Sequence, residues 1–310
     1  VTVNVLFAGQ AGSWDVYRPH LERACAEQGV RANIAPDLSP DTVDYIIFAP
    51  NGPVRDFTPY TRLRAVLSLW AGVEGIINNP TLNVPLARMV DAGLAQGMTE
   101  WVVGHVLRYH LGMDADIRGS GGVWKPRVPP LARERTVGIL GIGELGGACA
   151  TVLAGVGFNV LGWSRRPRTL PEVDCLAGRD GLTEVLKRSE ILVLLLPDTP
   201  ATTNILCDET LALMPRGARI LNPGRGPLID DRALLAALDS GQIAHATLDV
   251  FRVEPLPPGH PYWAHPNVTV TPHIAAETRV ESAAGVIARN LRRGIAGEPL
   301  MDLVDRMAGY

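Results

Sequence analysis

Residues 136–166 read TVGILGIGELGGACATVLAGVGFNVLGWSRR. The apolar run Thr136–Leu140 leads directly into Gly141, Gly143 and Gly146 in GxGxxG spacing, and a helical pattern and a second apolar run, Phe158–Trp163, follow. The first glycine permits a tight turn, the second lets a pyrophosphate approach the backbone, and the third lets the helix pack closely on the strand. The helix opening at Glu144 and Leu145 would turn its N–H groups toward the anion. A dinucleotide-binding βαβ unit is therefore expected here. An NAD site of this kind places a carboxylate about 20 residues on, for the ribose 2′-hydroxyl. This strand instead ends in Ser164, Arg165 and Arg166. A hydroxyl and two guanidiniums suit a 2′-phosphate, so NADP(H) is the preferred cofactor and NAD(H) the alternative.

Outward from this unit the same alternation continues. VNVLFA, VRANIA, YIIFAP, RAVLSLW and VPLARM form a first set of short apolar runs, and TVGIL, FNVLGW, ILVLLL, ARILN, HATLDV and VTVTP a second. Runs without polar alternation, separated by helical patterns, are what parallel strands buried on both faces look like. An α/β protein of two doubly wound, Rossmann-like domains follows. Gly93, Gly97 and Thr99 precede a helical pattern over 100–118, and the Gly/Pro-rich stretch 119–130 ends it. A second helical run, 277–297, follows the last strand and can return the chain to the first domain. The expected division is a discontinuous first domain, 1–97 with 277–310, around a dinucleotide-binding domain, 98–276.

Composition narrows the class. The 310 residues are 46% hydrophobic, and Lys+Arg 29 against Asp+Glu 32 leaves a formal net charge of −3. Without a basic block, nucleic-acid and membrane-surface partners are not expected. The longest aliphatic run, Ile191–Leu196, falls far short of the ~20 residues of a membrane span, and VTVNVLFAGQ reads as a first strand rather than a leader. Cys25, Cys149, Cys175 and Cys207 lie tens of residues apart with no ligand-spaced histidine, so no metal is expected and a cytoplasmic protein with reduced thiols is.

Three later segments put a polar residue just beyond an apolar strand: LNPGRGPLIDD with Arg225, TLDVFRVEPLP with Glu254, and VTVTPHIAAE with His273. Ligands in doubly wound folds collect outside the carboxyl ends of strands, so these three side chains are expected to converge. His20, His105 and His110 fall in helical stretches and are expected to be structural.

Taken together, GIGELG, LLLPDTPATTNIL, NPGRGPLIDDRALLAALDSGQI, LDVFRVEPLP and TPHIAA resemble the D-isomer-specific 2-hydroxyacid dehydrogenases over essentially the full length. GWSRR, LPPGHPYWAHPNV and the terminal VDRMAGY resemble the bacterial glyoxylate/hydroxypyruvate reductase group within them. The resemblance implies reduction of a short 2-oxoacid by hydride transfer, with His273 as proton donor, Glu254 orienting it, and Arg225 binding the substrate carboxylate and carbonyl oxygen. It implies cofactor contacts at Leu196, Pro197, Thr202, Pro223, Gly224, His273 and Ala275, and at Asp249 near the nicotinamide amide. LWAGVEG resembles the family's carboxylate-binding loop, so Trp70 and the backbone of Ala71, Gly72 and Val73 would border the substrate. A flavodoxin-like substrate domain, 1–97 with 277–310, and a homodimer joined through the long helix and the following arm are also implied. Two positions depart from the group: Ala49, Pro50, Asn51 and Gly52 replace an aromatic pair, and Trp70 replaces a glycine. Another 2-hydroxyacid substrate, or a dinucleotide-sensing interaction protein on the same scaffold, are the competing readings, although a sensor could dispense with Arg225, Glu254 and His273.

Overall fold

The computed structural model describes residues 2–117, 119, 121–124, 126–307 and 309. Ala308 and Tyr310 of the terminal VDRMAGY stretch, Arg118 at the end of the expected helix, and Ser120 and Lys125 of the Gly/Pro-rich arm lie outside the described residues. In chain order the elements are β1 (Val3–Ala8), α1 (Trp14–Glu27), β2 (Ala32–Ala35), β3 (Tyr45–Phe48), β4 (Ala65–Ser68), β5 (Leu86–Ala87), α2 (Ala92–Leu111) and α3 (Met113–Ile117). Then come β6 (Thr136–Leu140), α4 (Glu144–Val156), β7 (Asn159–Ser164), β8 (Asp174–Ala177), α5 (Gly178–Arg188), β9 (Ile191–Leu194) and α6 (Asp208–Leu211). The chain ends with β10 (Ala218–Asn222), α7 (Asp231–Asp239), β11 (Ile243–Leu248), β12 (Val268–Val270) and α8 (Val280–Ile295). It divides into two compact units, Val1–Leu94 with Thr278–Tyr310, and Ala95–Glu277.

The first unit is a parallel five-stranded sheet in the order β2-β1-β3-β4-β5, the flavodoxin-like winding. Because side chains alternate along a strand, Val3, Val5 and Phe7 of β1 pack on α1 and α8, while Leu6 and Ala8 face the opposite layer with Ile46, Phe48 and Val66. The stripe Ala283, Ala284, Ile287, Ala288 and Leu291 of α8 is fully buried against this sheet. Burying Ile287 and Leu291 is worth roughly 1.5–3 kcal/mol each, more than the differences in helix propensity along α8. That burial commits the C-terminal helix to the first unit.

The second unit is a parallel seven-stranded sheet in the order β12-β11-β10-β9-β6-β7-β8. The winding reverses between β6 and β9, and ligands of such sheets bind beyond the strand ends at that point. One layer packs Leu140, Leu161, Leu192, Leu194 and Ile220 against α5 and α7. The other packs Val137, Ile139, Val160, Val193 and Leu221 against α2 and α4.

Three local expectations are corrected. The long helix begins at Ala92, so Gly93 and Gly97 lie inside it. The Asp91 carboxylate caps its first turn by accepting the Leu94 N–H at 2.9 Å, and a Cβ on Gly93 would come within 2.8 Å of Ser282 Oγ. Gly93 therefore serves close approach rather than helix termination. The helix breaks at Gly112, whose φ of +67° is left-handed, before the short α3. The strand expected in VPLARM is only Leu86–Ala87, and the edge strand β8, DCLA, was not anticipated.

Candidate active site

The glycine turn shows why each position is glycine. Gly141 has a φ of +104°, and a Cβ there would lie 2.5 Å from Leu195 O. At Gly146 a Cβ would lie 1.8 Å from Gly141 O, whereas at Gly143, the residue preceding α4, it would meet nothing within 4 Å. Two of the glycines let the turn and helix pack, and the third leaves open space at a helix N-terminus. That is the cradle a pyrophosphate requires. Glu144 and Leu145 form the first turn of α4.

Beyond β7, Ser164 donates its hydroxyl to Arg166 O at 2.6 Å, closing a turn that presents Arg165 and Arg166 as exposed side chains. A third guanidinium, that of Arg168, donates to Ile142 O in the glycine turn at 3.4 Å. Sequence reasoning missed Arg168, although a third arginine in SRRPR was its signal.

The remaining expected cofactor residues follow the carboxyl ends of β9, β10, β11 and β12. Leu196 is buried, and Thr202 donates to Pro197 O at 2.7 Å, closing the loop between them. Pro223 and Gly224 precede Arg225 in a loop built by Asn222, whose amide donates to Arg225 O at 2.9 Å and whose Oδ1 accepts from Gly224 N at 3.2 Å. Asn222 is almost wholly buried and was also missed; the asparagine opening NPGRG was the signal. Ala275 is in the core.

Arg225, Glu254 and His273 all belong to the second unit. His273 Nδ1 and Glu254 Oε2 are 2.7 Å apart, and Glu254 Oε1 accepts the Phe251 N–H at 2.8 Å. The hydrogen bond and charge of Glu254, with Asp249 behind it, raise the imidazole above its ordinary value against the opposing effects of burial and Arg225. Burial alone would raise the Glu254 carboxyl, but the His273 bond, the Phe251 amide and the charges of His273 and Arg225 together hold it below its usual range. An imidazolium beside a carboxylate, with a guanidinium acting on both, can give a proton and stabilise a developing oxyanion.

Asp249 is fully buried. Its Oδ1 accepts from Thr271 Oγ1 at 2.5 Å and Ile274 N at 3.0 Å, and its Oδ2 from Ala275 N at 2.9 Å. The carboxylate thus holds the turn that carries His273, itself at a left-handed φ of +55°. His105 and His110 lie on α2, and burial with a nearby arginine (Arg108 and Arg135 respectively) lowers the pKa of each.

In the first unit, the loop after β4 carries Trp70, Ala71, Gly72 and Val73. Both the N–H and the C=O of Trp70 bond the buried Ser68 hydroxyl, at 3.0 and 2.9 Å, while the residue is 43% exposed. The Val73 side chain is buried in the core. Among the described residues the amides of Ala71, Gly72 and Val73 donate to no acceptor. Of the four residues replacing the aromatic pair, Ala49 is buried and a Cβ on Gly52 would lie 2.1 Å from Ala8 O. Only Pro50 and Asn51 border the surface there.

No helix among the described residues is long and apolar enough to cross a membrane, and no cluster of three or more His, Cys, Asp or Glu that could hold a metal is present among them. All four cysteines are free, and burial pushes the thiols of Cys25 and Cys149 up to about 11.

Residues 105–275 match the family model of the D-isomer specific 2-hydroxyacid dehydrogenase NAD binding domain. A glyoxylate/hydroxypyruvate reductase A of Yersinia enterocolitica is 41% identical over 80% of this chain and 82% of its own length. One from Salmonella heidelberg is 39% identical over 94% of both chains. Among solved structures, a D-isomer specific 2-hydroxyacid dehydrogenase from Xanthobacter autotrophicus Py2, in complex with NADPH and MES, is 39% identical with a TM-score of 0.91 over 100% of both chains. An NADPH-dependent glyoxylate/hydroxypyruvate reductase from Sinorhizobium meliloti, in complex with NADP and sulfate, is 33% identical with a TM-score of 0.83, covering 100% of this chain and 99% of its own. This chain belongs to the D-isomer specific 2-hydroxyacid dehydrogenases, and its second unit carries their NAD-binding domain.

Proposed function

We propose that the protein is an NADPH-dependent reductase of short 2-oxoacids, glyoxylate and hydroxypyruvate foremost. The observation that carries this reading is the 2.7 Å pairing of His273 with Glu254 under the charge of Arg225. The names of the relatives at 39–41% identity support the substrate class. The bound cofactors of the similar structures, together with Arg165, Arg166 and Arg168 around the dinucleotide turn, support NADPH.

The reduced nicotinamide supplies the hydride that adds to the carbonyl carbon. His273, held protonated by Glu254, gives its proton to the carbonyl oxygen as negative charge gathers there. Arg225 binds the substrate carboxylate and the same oxygen. Both cations interact more strongly with the alkoxide-like transition state than with the neutral carbonyl, so they lower the barrier rather than merely tighten binding. Asp249 and Asn222 keep the His273 turn and the Arg225 loop in place. In this reading the dinucleotide belongs to residues 95–277 and the substrate domain to 1–94 with 278–310. The unpaired amides of Ala71, Gly72 and Val73 support a carboxylate-binding role for the loop after β4.

A homodimer is part of the same reading. Trp124 and Val128 of the arm after α3 are 92% and 96% exposed, apolar surface of the kind a partner covers. The four free thiols suit a reducing compartment such as the cytoplasm.

The purified chain, assayed with glyoxylate, hydroxypyruvate and pyruvate against NADPH and NADH, tests the proposal. Oxidation of NADPH by the first two is expected; no oxidation of either cofactor with any 2-oxoacid would refute it.

A further inference from the structure

We propose that Arg252 is a positioning residue for the proton-donating pair: its guanidinium ties the segment that carries Glu254 to the loop that follows Arg225. The inference rests on the reading of Glu254 and His273 as the acid of a reductase.

Three stretches of backbone meet beside the pair: 204–206, 226–231 and 251–254. The first two are stitched together by their own backbone, through Asn204 N to Pro227 O at 2.8 Å, Leu206 N to Leu228 O at 3.1 Å and Asp230 N to Leu206 O at 2.9 Å. The third lies against the second so closely that a Cβ on Gly226 would fall 2.0 Å from the Phe251 carbonyl carbon. Yet among the described residues no backbone hydrogen bond joins 251–254 to either of the others. Arg252 makes the connection. Its Nη2 donates to Asn204 Oδ1, to Ile229 O at 2.5 Å and to Pro227 O at 3.3 Å, and its Nε lies 3.5 Å from Asp231 Oδ2. Asp231 is held in turn by the Tyr262 hydroxyl at 2.9 Å.

The consequence for the pair is geometric. Arg252 stands two residues before Glu254, and Gly226 directly follows Arg225. Glu254 already spends Oε1 on the Phe251 amide of its own turn, so the direction of Oε2 toward His273 depends on how that turn sits. The charged groups acting on His273 are Glu254, Asp249 and Arg225; Arg252 is not among them. Its effect must therefore pass through the placement of Glu254. The Arg252 side chain is 34% exposed, and its 3.5 Å pair with Asp231 adds little to global stability. Nη2 alone serves the three oxygens, and the ammonium of a lysine would end about where the Arg252 Cζ lies, one bond short of them, with no second nitrogen toward Asp231.

The experiment compares wild type with Arg252→Ala, Arg252→Lys and Arg252→Gln, with NMR titration of the His273 imidazole in histidine-labelled protein as the first readout. The second is the pH profile of kcat with glyoxylate and NADPH. In Arg252→Ala the imidazole should titrate at lower pH and kcat should fall, by up to about 100-fold for a misplacement near 1 Å, while the KM for NADPH stays within about twofold. Arg252→Lys, one bond short of Nη2, should restore the readouts at most in part, and Arg252→Gln, shorter still and uncharged, should not restore them. An unchanged His273 titration in Arg252→Ala, or full restoration by lysine, overturns the proposal. Should Arg252→Ala not fold, the lysine and glutamine variants decide by the same readouts. If the wild type reduces no 2-oxoacid, the functional reading falls, and the imidazole titration still decides the role of Arg252.

Discussion

His273 donates its backbone N–H to the carbonyl oxygen of Asp249 at 2.9 Å, and the carboxylate of the same residue takes the next two amides, those of Ile274 and Ala275. Successive N–H groups are thus gathered onto one buried aspartate. A left-handed φ on a residue other than glycine costs on the order of 1–3 kcal/mol, and a hydrogen bond to a charged group contributes roughly 1.5–3 kcal/mol. The carboxylate bonds are therefore large enough to hold His273 where the backbone alone would not. Asp249→Ala leaves Ile274 N, Ala275 N and the Thr271 hydroxyl without their buried acceptor, at about 1–3 kcal/mol each. A fall in Tm by calorimetry together with a loss of kcat is the expected outcome. A variant with wild-type Tm and kcat would deny Asp249 this role.

The raised pKa of His273 and the lowered pKa of Glu254 fix a pH dependence. The acid form survives above the ordinary imidazole range, so the descending limb of the kcat/KM profile should lie above that range. Glu254→Gln removes the counter-charge and should move the limb to lower pH. The stabilising effect of the pair on His273 is complete below the unfolded imidazole pKa and is lost as pH rises through the raised folded value. On the Glu254 side it is lost as pH falls through the lowered carboxyl value. Tm measured against pH in wild type and Glu254→Gln should differ between those limits and converge outside them.

Gly143 and Gly146 should separate binding from folding. Gly143→Ala places its methyl group in open space, so the fold should stand while NADPH binding weakens. Gly146→Ala drives a Cβ to 1.8 Å from Gly141 O, so the turn must move and Tm should drop. Calorimetry paired with fluorescence titration of NADPH distinguishes the two; equal effects on Tm would contradict the assignment.

Much of this architecture was legible in the sequence because buried parallel strands leave uninterrupted apolar runs. VNVLFA, TVGIL and ARILN are strands throughout for that reason, and ILVLLL is one over its first four residues. The edge strand β8 left no such run: DCLA is half-exposed and opens on an aspartate. The start of α2 was hidden because Gly93 and Gly97 were placed ahead of the helix, whereas both lie inside it; Gly93 is there for close approach to Ser282. In the site, His273, Glu254 and Arg225 stood out as polar residues after strands. Arg168 and Arg252 did not, since each binds oxygens of segments distant in sequence and no local spacing encodes that; Asn222 acts within its own NPGRG turn and was legible only from that motif.

The arginines beyond β7 should act differently on the two cofactors. Arg165 and Arg166, if they clamp a 2′-phosphate, contribute roughly 1.5–3 kcal/mol for each charged hydrogen bond. Replacing both with alanine should weaken NADPH by one to several orders of magnitude and leave NADH nearly unchanged. Arg168 instead donates to Ile142 O in the glycine turn, so Arg168→Ala should weaken both cofactors together. Titration of each variant with both cofactors checks this, and parallel losses in the Arg165/Arg166 double variant would remove the clamp.

In the proposed reading Trp70 borders the 2-oxoacid and sets which one is accepted. Its backbone is fixed by the Ser68 hydroxyl while the residue is 43% exposed, and its ring belongs to neither buried cluster of the first unit's described residues. Trp70→Gly should therefore cost only about 0.4–1 kcal/mol of stability, mainly through a freer unfolded chain. Ala49 is buried and a Cβ on Gly52 would meet Ala8 O, so Pro50 and Asn51 are the members of that loop that reach the surface. Bulk bordering the substrate then falls to Trp70, with Pro50 and Asn51 beside the same strand ends. A changed fit of one methylene is worth ~1–3 kcal/mol in discrimination, roughly 10–200-fold. Trp70→Gly should raise kcat/KM for longer 2-oxoacids relative to glyoxylate within that range, with Tm nearly unchanged. Unaltered selectivity across a series from glyoxylate to phenylpyruvate would place the determinant elsewhere.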